Sequence, residues 1–521
     1  MIARSLRRLA LLAIVVPVFC PALGAVPGGA GILTPFRWHL PGPHATAEVD
    51  FDNGRVDVTS PFNPGLTLSV GHKGVIHYPA ELDGDPPGAG QAFPLVIFAH
   101  GRYQVEPQIG RNHLQASYLL RHLASHGIIA ASVNLDVVGQ FASPAAIPQR
   151  GELVHHTIDL MEALAGDPDS IFFGRVDLER IALLGHSRGG EGVVAAAVNN
   201  PGRPILAVAT IAPTDFEGYS LSGPLYYGLY GSQDGDVNNG WPILLYDRVT
   251  PLKGFLFIYG ASHFHFTDSI AFDPAGIPRK AHHVIARALF MTFLHFAFEG
   301  DEKVLPFLAF DLPIPHPGRG LYPVYPLFEH PDRVVVDDFE DQPVDPNMNT
   351  LGGQVISEDV LFLSEMALNQ PSNTLYHDTH GLRLVWDYAR TEPKGALYES
   401  FLPLGTDASS HPYLSLRVCQ RMDASENSEG EDQDLTVALE DKGGRIATVF
   451  LSELGGVPYP FIPPRFSRIP RKSVLRTFRI PLRLFHAHEP DLDLTALESI
   501  RLQLDRTVSG RIFLDSIEFT R

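Results

Sequence analysis

The sequence predicts an α/β fold followed by an all-β sandwich. From about Gly74 to Glu299, apolar strand-like runs alternate with helix-like segments. Such alternation over short links builds a mainly parallel sheet with helices on both faces. Beyond about residue 333, short strand-like runs follow one another with no helix between them, which indicates a sandwich. The length of 521 residues also exceeds one ordinary core, so two domains are expected.

The elements can be justified in order. "GVIHYPA" and "PLVIFAHG" read as strands, the second a buried one. "LQASYLLRHLASHG" has apolar positions at helical spacing and stops on Gly127. "IIAASVNLD" is a strand and "GELVHHTIDLMEALAGD" a helix. "IALLGHS" is a strand entering a turn, and "GGEGVVAAAVN" is a small-residue helix leaving it. "PILAVATIAP", "PLYYGLYG" and "GFLFIYG" are further strands, and "AHHVIARALFMTFLHFAFEG" is a closing helix. A Pro-rich stretch over residues 301–333 is a stiff linker or a packed strap. From residue 334, "RVVVDDFED", "GLRLVWDYA", "YLSLRVC", "RIATVFLSE" and "RIFLDSIEF" are among the strands of the second domain.

The N-terminal residues look like a targeting segment. Arg4, Arg7 and Arg8 precede the apolar "LALLAIVVPVF", and small residues follow it. A secretory signal peptide over residues 1–25 is expected, with a secreted or periplasmic mature chain over 26–300, 301–333 and 334–521. No later segment reads as a membrane-spanning helix. With 40 Lys and Arg against 59 Asp and Glu, the net charge is −19, which disfavours nucleic acid as a partner. Cysteines number two, Cys20 and Cys419; once Cys20 leaves with the signal peptide, Cys419 has no partner and reads as a small core residue.

The chemistry centres on "LLGHSRGGEG". Serine is a weak nucleophile unless a base takes its proton, an acid orients the base, and donors hold the oxyanion. A G-x-S-x-G turn between strand and helix exposes the serine oxygen and relieves crowding with glycine. Ser187 has that context. The partners should follow at the ends of later strands, acid before histidine. "YYGLYGSQDGDV" offers Asp234, with Asp236 in reserve; "FLFIYGASHFHF" offers His263, with His265 in reserve. The oxyanion donors are expected from the backbone of Arg188 and of Arg102 or Tyr103. His100 and His186 read as structural. Tyr103, Trp241, Phe264 and Phe266 either line a cleft or pack.

Over about residues 60–299, "PLVIFAHGRYQ", "LASHGIIAASVN", "IALLGHSRGGEG", "YGSQDGDV" and "GASHFHF" resemble the α/β-hydrolase superfamily. Within it they are similar to bacterial cutinase-like polyester hydrolases and chlorophyllases. The resemblance implies an α/β-hydrolase fold, a triad of Ser187, Asp234 and His263, and no catalytic cofactor. Those families carry an aromatic directly after the His-Gly pair. Here Arg102 stands there and Tyr103 comes one residue later. The short link "TDFEGYSLSG" leaves no room for a helical cap, which suits bulky or polymeric esters.

The second domain's "VVVDDFED", "LGGQV" and "GRIFLDSIEF" resemble galactose-binding-like jelly rolls, many of them carbohydrate-binding modules. This implies a polysaccharide or polymer surface as partner, and a structural calcium held by Asp338, Glu340 and Asp515. The acidic "MDASENSEGEDQD" reads as a solvated loop. The expected function is a secreted serine esterase acting on lipid, polyester or acylated-polymer esters through an acyl-enzyme. The alternatives are a carbohydrate-binding protein with a vestigial hydrolase domain, and an acyltransferase or peptidase using the same triad.

Overall fold

The computed structural model describes residues 37–80, 91–103, 110–139, 145–250, 252–270, 275–311, 323–341, 343–389, 395–404, 406–464 and 469–521. The expected signal segment and the middle of the Pro-rich stretch lie outside the described residues.

The first sheet is built from β1 (Ala45–Ser60), β2 (Asn63–Ala80), β3 (Phe93–Ala99), β4 (Ile129–Val133), β5 (Val176–His186), β6 (Ile205–Ile211), β7 (Leu225–Gly231), β8 (Lys253–Ile258) and β9 (Val324–Glu329). Their spatial order is β1-β2-β4-β3-β5-β6-β7-β8-β9. The six strands from β4 to β8 run parallel. The long β1–β2 hairpin joins antiparallel at one edge, and β9 joins antiparallel at the other. The end of the Pro-rich stretch is therefore a strand of this sheet.

β3 and β4 are buried along their whole length, which is why their sequences are continuous apolar runs rather than alternating ones. The covering helices are α1 (Ser117–Ser125), α3 (Ile147–Gly166), α4 (Arg188–Val198) and α6 (Arg279–Glu299), with the short α2 (Asp136–Gly139), α5 (Trp241–Asp247) and α7 (Leu305–Leu308) between. α3 packs on α4 and α1 packs on α6. α6 is long and apolar enough by composition to cross a bilayer, contrary to the expectation for segments after the first; 67% of its apolar window is buried in the domain. Because the central strands are parallel, the loops after β3, β5, β7 and β8 emerge at one edge. His100, Ser187, Asp234 and His263 follow those four strands.

The remaining strands form two antiparallel sheets. One holds β12 (Phe362–Ala367), β13 (His380–Asp387), β20 (Ser509–Thr520), β15 (Tyr413–Gln420) and β18 (Arg476–Pro481), with β10 (Arg333–Asp337) also on β20. The other holds β11 (Val355–Glu358), β14 (Leu397–Phe401), β19 (Leu497–Gln503), β16 (Thr436–Asp441) and β17 (Ile446–Phe450). Alternate residues of β15 (Leu414, Leu416, Val418) and of β16 (Val437, Leu439) meet in one apolar core. Trp386 is in that core, and its indole N–H donates to the Thr507 carbonyl at 3.1 Å. Its side chain is fully buried.

Ser415, Arg417 and Cys419 on the other face of β15 are buried as well, because that face of the sheet meets the first domain. Cys419 packs there with Leu368, Leu375 and Phe513, and burial pushes its thiol up. Arg417 lies two residues before it. Its guanidinium reaches Asp247 of α5 at 2.8 Å and Asp515 of β20 at 2.8 Å, with all three side chains nearly inaccessible. His377 adds a contact to Asp247 at 2.9 Å, and Lys253 meets Glu329 at 2.9 Å. Glu329 is held down to about 2, against the opposing effect of burial, by Lys253, Arg417 and Arg333.

Breaking a buried pair by removing one partner strands the other charge. Arg417→Met should lower unfolding stability by about 3–5 kcal/mol in chemical denaturation. Asp247→Asn in the same chain should recover part of that loss, giving a double-mutant coupling above about 0.5 kcal/mol. Full additivity of the two changes would mean that the pair carries no interaction.

Candidate active site

Ser187 sits between the end of β5 and the first residue of α4, with φ 58° and ψ −131°. A left-handed φ at a non-glycine residue costs roughly 1–3 kcal/mol and persists only where the surroundings impose it. Here the Ser187 N–H donates to the Ile211 carbonyl at 2.9 Å, and the Ser187 carbonyl accepts from Gly190 at 2.8 Å. The motif glycines explain how the turn fits. A Cβ on Gly189 would collide with the Ala99 and His100 carbonyls, and one on Gly185 would collide with the Gly189 backbone. A Cβ on Gly101 would lie 2.8 Å from Ser187 Cβ and 2.6 Å from the Tyr103 ring. The loop after β3 therefore passes directly beside the serine.

This geometry places the backbone after Gly101 next to Ser187, as an oxyanion site requires. The Arg188 N–H belongs to the first turn of α4, where helical N–H groups lack intrahelical partners and the dipole favours negative charge. Tyr103 does not line a cleft. Its side chain is buried, its hydroxyl bonds His186 Nδ1, and burial pushes its phenol well above the ordinary range. Its carbonyl accepts from Asn112 Nδ2 at 2.9 Å, and Asn112 is itself held by Asp136 at 2.6 Å.

Asp234 and His263 are fully buried and joined, with His263 Nδ1 2.7 Å from Asp234 Oδ2. The second carboxylate oxygen accepts from the N–H groups of Asp236 at 2.9 Å and Val237 at 2.7 Å. These bonds fix the carboxylate plane and assign the Nδ1–H tautomer to His263, which makes Nε2 the basic nitrogen. The reserve residues have other places. Asp236 Oδ2 is 3.5 Å from His263 Nε2 on a side chain 53% exposed. His265 is half-buried with its ring against His282.

The His263 ring centroid lies 4.5 Å from that of His186, the residue before the serine. Burial, with His263 adding to it, holds His186 well below its ordinary range, so it stays neutral there. His100 is structural: Nδ1 donates to the Gly101 carbonyl at 2.6 Å and Nε2 accepts from the Leu135 N–H at 2.8 Å.

Several supporting residues escaped sequence reasoning. Glu191, one turn into α4, is buried and accepts from Thr214 Oγ1 at 2.6 Å and the Glu217 N–H at 2.7 Å. It thereby anchors the loop carrying Phe216. His282 Nε2 accepts from the Ser262 N–H at 3.0 Å and so braces the His263 loop. The fully buried Arg150 donates to the His100 carbonyl at 3.2 Å. Phe216, 45% exposed, stacks edge-on with Trp241 at 4.7 Å under the Arg188 guanidinium. The only sequence signal for these was proximity to the motif, as with Glu191 in "GHSRGGEG". Phe264 touches both Tyr103 and His263, whereas Phe266 is buried against His282.

The expected calcium ligands are not brought together. Asp515 is paired with Arg417, Glu340 binds His380 at 2.9 Å, and Asp338 accepts from Thr350 at 2.7 Å. Among the described residues, no group of three or more His, Cys, Asp or Glu is placed to hold a metal ion. The three carboxylates are accounted for by these local partners.

Gly189→Ala should remove the elbow, because the colliding atoms are backbone and cannot rotate away. The expected result is a melting temperature lowered by at least several degrees, or loss of soluble protein. Gly166→Ala, where an added Cβ meets nothing within 4 Å, should leave the melt unchanged.

The family model described as PETase, PET hydrolase-like, matches residues 72–271, a stretch that contains Ser187, Asp234 and His263. No curated protein matches the chain. The matched stretch is thus similar to PET hydrolase-like proteins, which supports an α/β-hydrolase there and a hydrolase activity.

Proposed function

We propose that the protein is a serine hydrolase of carboxylic esters, with an acyl-enzyme formed on Ser187. The observation that carries this reading is the pairing of a strained, glycine-walled Ser187 with a buried Asp234–His263 dyad at the same sheet edge. The PET hydrolase-like match over the same stretch supports it.

In this reading Ser187 Oγ attacks the ester carbonyl while its proton passes to His263 Nε2. The carbonyl oxygen takes up negative charge facing the Arg188 N–H and the backbone after Gly101. The C–O bond to the alcohol then breaks, and the alcohol leaves with the proton from Nε2. Water attacks the acyl-serine and gives its proton to Nε2; Ser187 leaves, reprotonated, and a carboxylic acid is released. Asp234 keeps Nδ1 protonated and offsets the imidazolium charge. The link between β6 and β7, residues 212–224, carries no helix, so no cap covers this edge from there. Phe216 and Trp241 lie beside the nucleophile turn and offer aromatic faces to a bulky acyl group. Esters in polymers or lipids, met outside the cytoplasm, are the proposed substrate class.

Ser187→Ala should abolish hydrolysis of a short p-nitrophenyl ester and labelling by a fluorophosphonate. Full activity in that variant would exclude the assignment. Asp234→Asn should cost about 10⁴-fold in kcat by favouring the wrong tautomer. Asp236→Asn should cost far less, since it does not touch Nδ1; equal losses would shift the acid role to Asp236. Initial rates on esters of graded acyl length, beside a polyester film, would define the substrate.

A further inference from the structure

Lys472 belongs to the C-terminal sheets, a few residues before β18, yet its side chain is buried. Its ammonium finds no hydrogen-bond partner among the described residues. It sits 5.3 Å from the centroid of the Tyr230 ring, a cation–π contact across the two domains. Tyr230 is the penultimate residue of β7, four residues before Asp234. Its hydroxyl donates to the Val237 carbonyl at 2.6 Å, and the Val237 N–H is one of the donors to Asp234 Oδ1. Burial pulls the ammonium down to about 8, and the charge of Asp234 opposes that pull.

The same turn is enclosed from the second domain at its other end. Gly240 closes on Tyr376 so tightly that a Cβ there would collide with the tyrosine side chain. The stretch from Tyr230 to Asp247 is thus contacted by Lys472, Tyr376 and Arg417.

We propose that Lys472 of the C-terminal domain is a positioning residue for the Asp234–His263 dyad, seating the acid turn through Tyr230 and keeping a cation near Asp234. This rests on the serine-hydrolase reading above. A cation near the acid opposes protonation of His263, so its removal makes His263 easier to protonate. The other groups facing the dyad are Asp236, with Arg188 beside it, and His186, which burial keeps neutral. None of them changes when Lys472 is replaced.

The test is the pH profile of inactivation by a fluorophosphonate, measured on the full chain for wild type, Lys472→Met, Lys472→Gln and Lys472→Arg, with thermal melts alongside. The neutral variants should move the acid limb upward by roughly half a pH unit to one unit, the size expected of one charge several ångström away in a protein interior. On the plateau above that limb, kcat on a p-nitrophenyl ester should fall about tenfold through the unseated acid turn, with KM changed less than twofold. Lys472→Arg keeps the cation and should hold the wild-type limb. A folded neutral variant with an unmoved limb overturns the proposal, as does a shift of equal size in Lys472→Arg. Failure of both neutral variants to fold, with Lys472→Arg intact, assigns the charge to structure instead. A wild-type protein that the reagent does not label overturns the hydrolase reading itself, independently of any Lys472 variant.

Discussion

The close approach of the β5–α4 turn to the end of β3 is the constraint on which the site depends. The Gly189 backbone touches the Ala99 carbonyl, and Gly101 lies against Ser187. No side chain can be inserted at these contacts. The strain at Ser187 is sustained because the turn is tied on two sides, to β6 through Ile211 and to α4 through Gly190. A parallel sheet supplies what such a turn needs. Its central strands are buried and hydrogen-bonded to neighbours on both sides, so their ends are fixed relative to one another. The positions of Asp234 and His263 then follow from the ends of β7 and β8.

A second constraint acts from outside the first domain. The face of the C-terminal sheet that carries Arg417 and Cys419 is buried at Ser415, Arg417, Cys419, Phe513 and Asp515. An arginine taken out of water needs opposite charge beside it, and Arg417 finds it in Asp247 and Asp515. Asp247 ends α5, and α5 follows the acid turn directly. The ion pairs that join the domains therefore also restrict the segment leading from Asp234. Packing between domains and geometry within the site are the same set of contacts.

Much of the first domain was legible in the sequence, because its signals are local. "PLVIFA" declares a doubly covered strand, and "GHSRGG" declares its turn by the glycines that the collisions require. The order Ser187, Asp234, His263 could be read from strand ends alone. Asp234 was preferred over Asp236 for its place off the strand end, and the folded turn is what brings its carboxylate to Nδ1. Tyr103 stayed open between wall and packing, since aromatic side chains near a site serve equally well as either. Its burial follows from Gly101, whose missing Cβ admits the ring. The carboxylates expected to hold calcium have other partners, for a different reason. Asp515 was available as a ligand by position, but Arg417, nearly a hundred residues earlier, occupies it. Lys472, Arg417 and Tyr376 carried no signal in sequence, since their importance lies in pairing with residues more than a hundred positions away.

The electrostatics of the site combine these local and distant effects. The chain is strongly acidic overall, yet Arg102 and Arg188 meet beside the nucleophile turn. Burial and Arg102 pull the Arg188 guanidinium down, and Asp236 opposes them. Opposite charges thus act on the residue that follows the nucleophile. At His263 a buried carboxylate meets the imidazole, and His186 beside it stays neutral. The stretch that follows Asp234 lies against Tyr376 at Gly240 and is tied to Arg417 at Asp247, which makes the C-terminal domain a determinant of the shape of the acid segment.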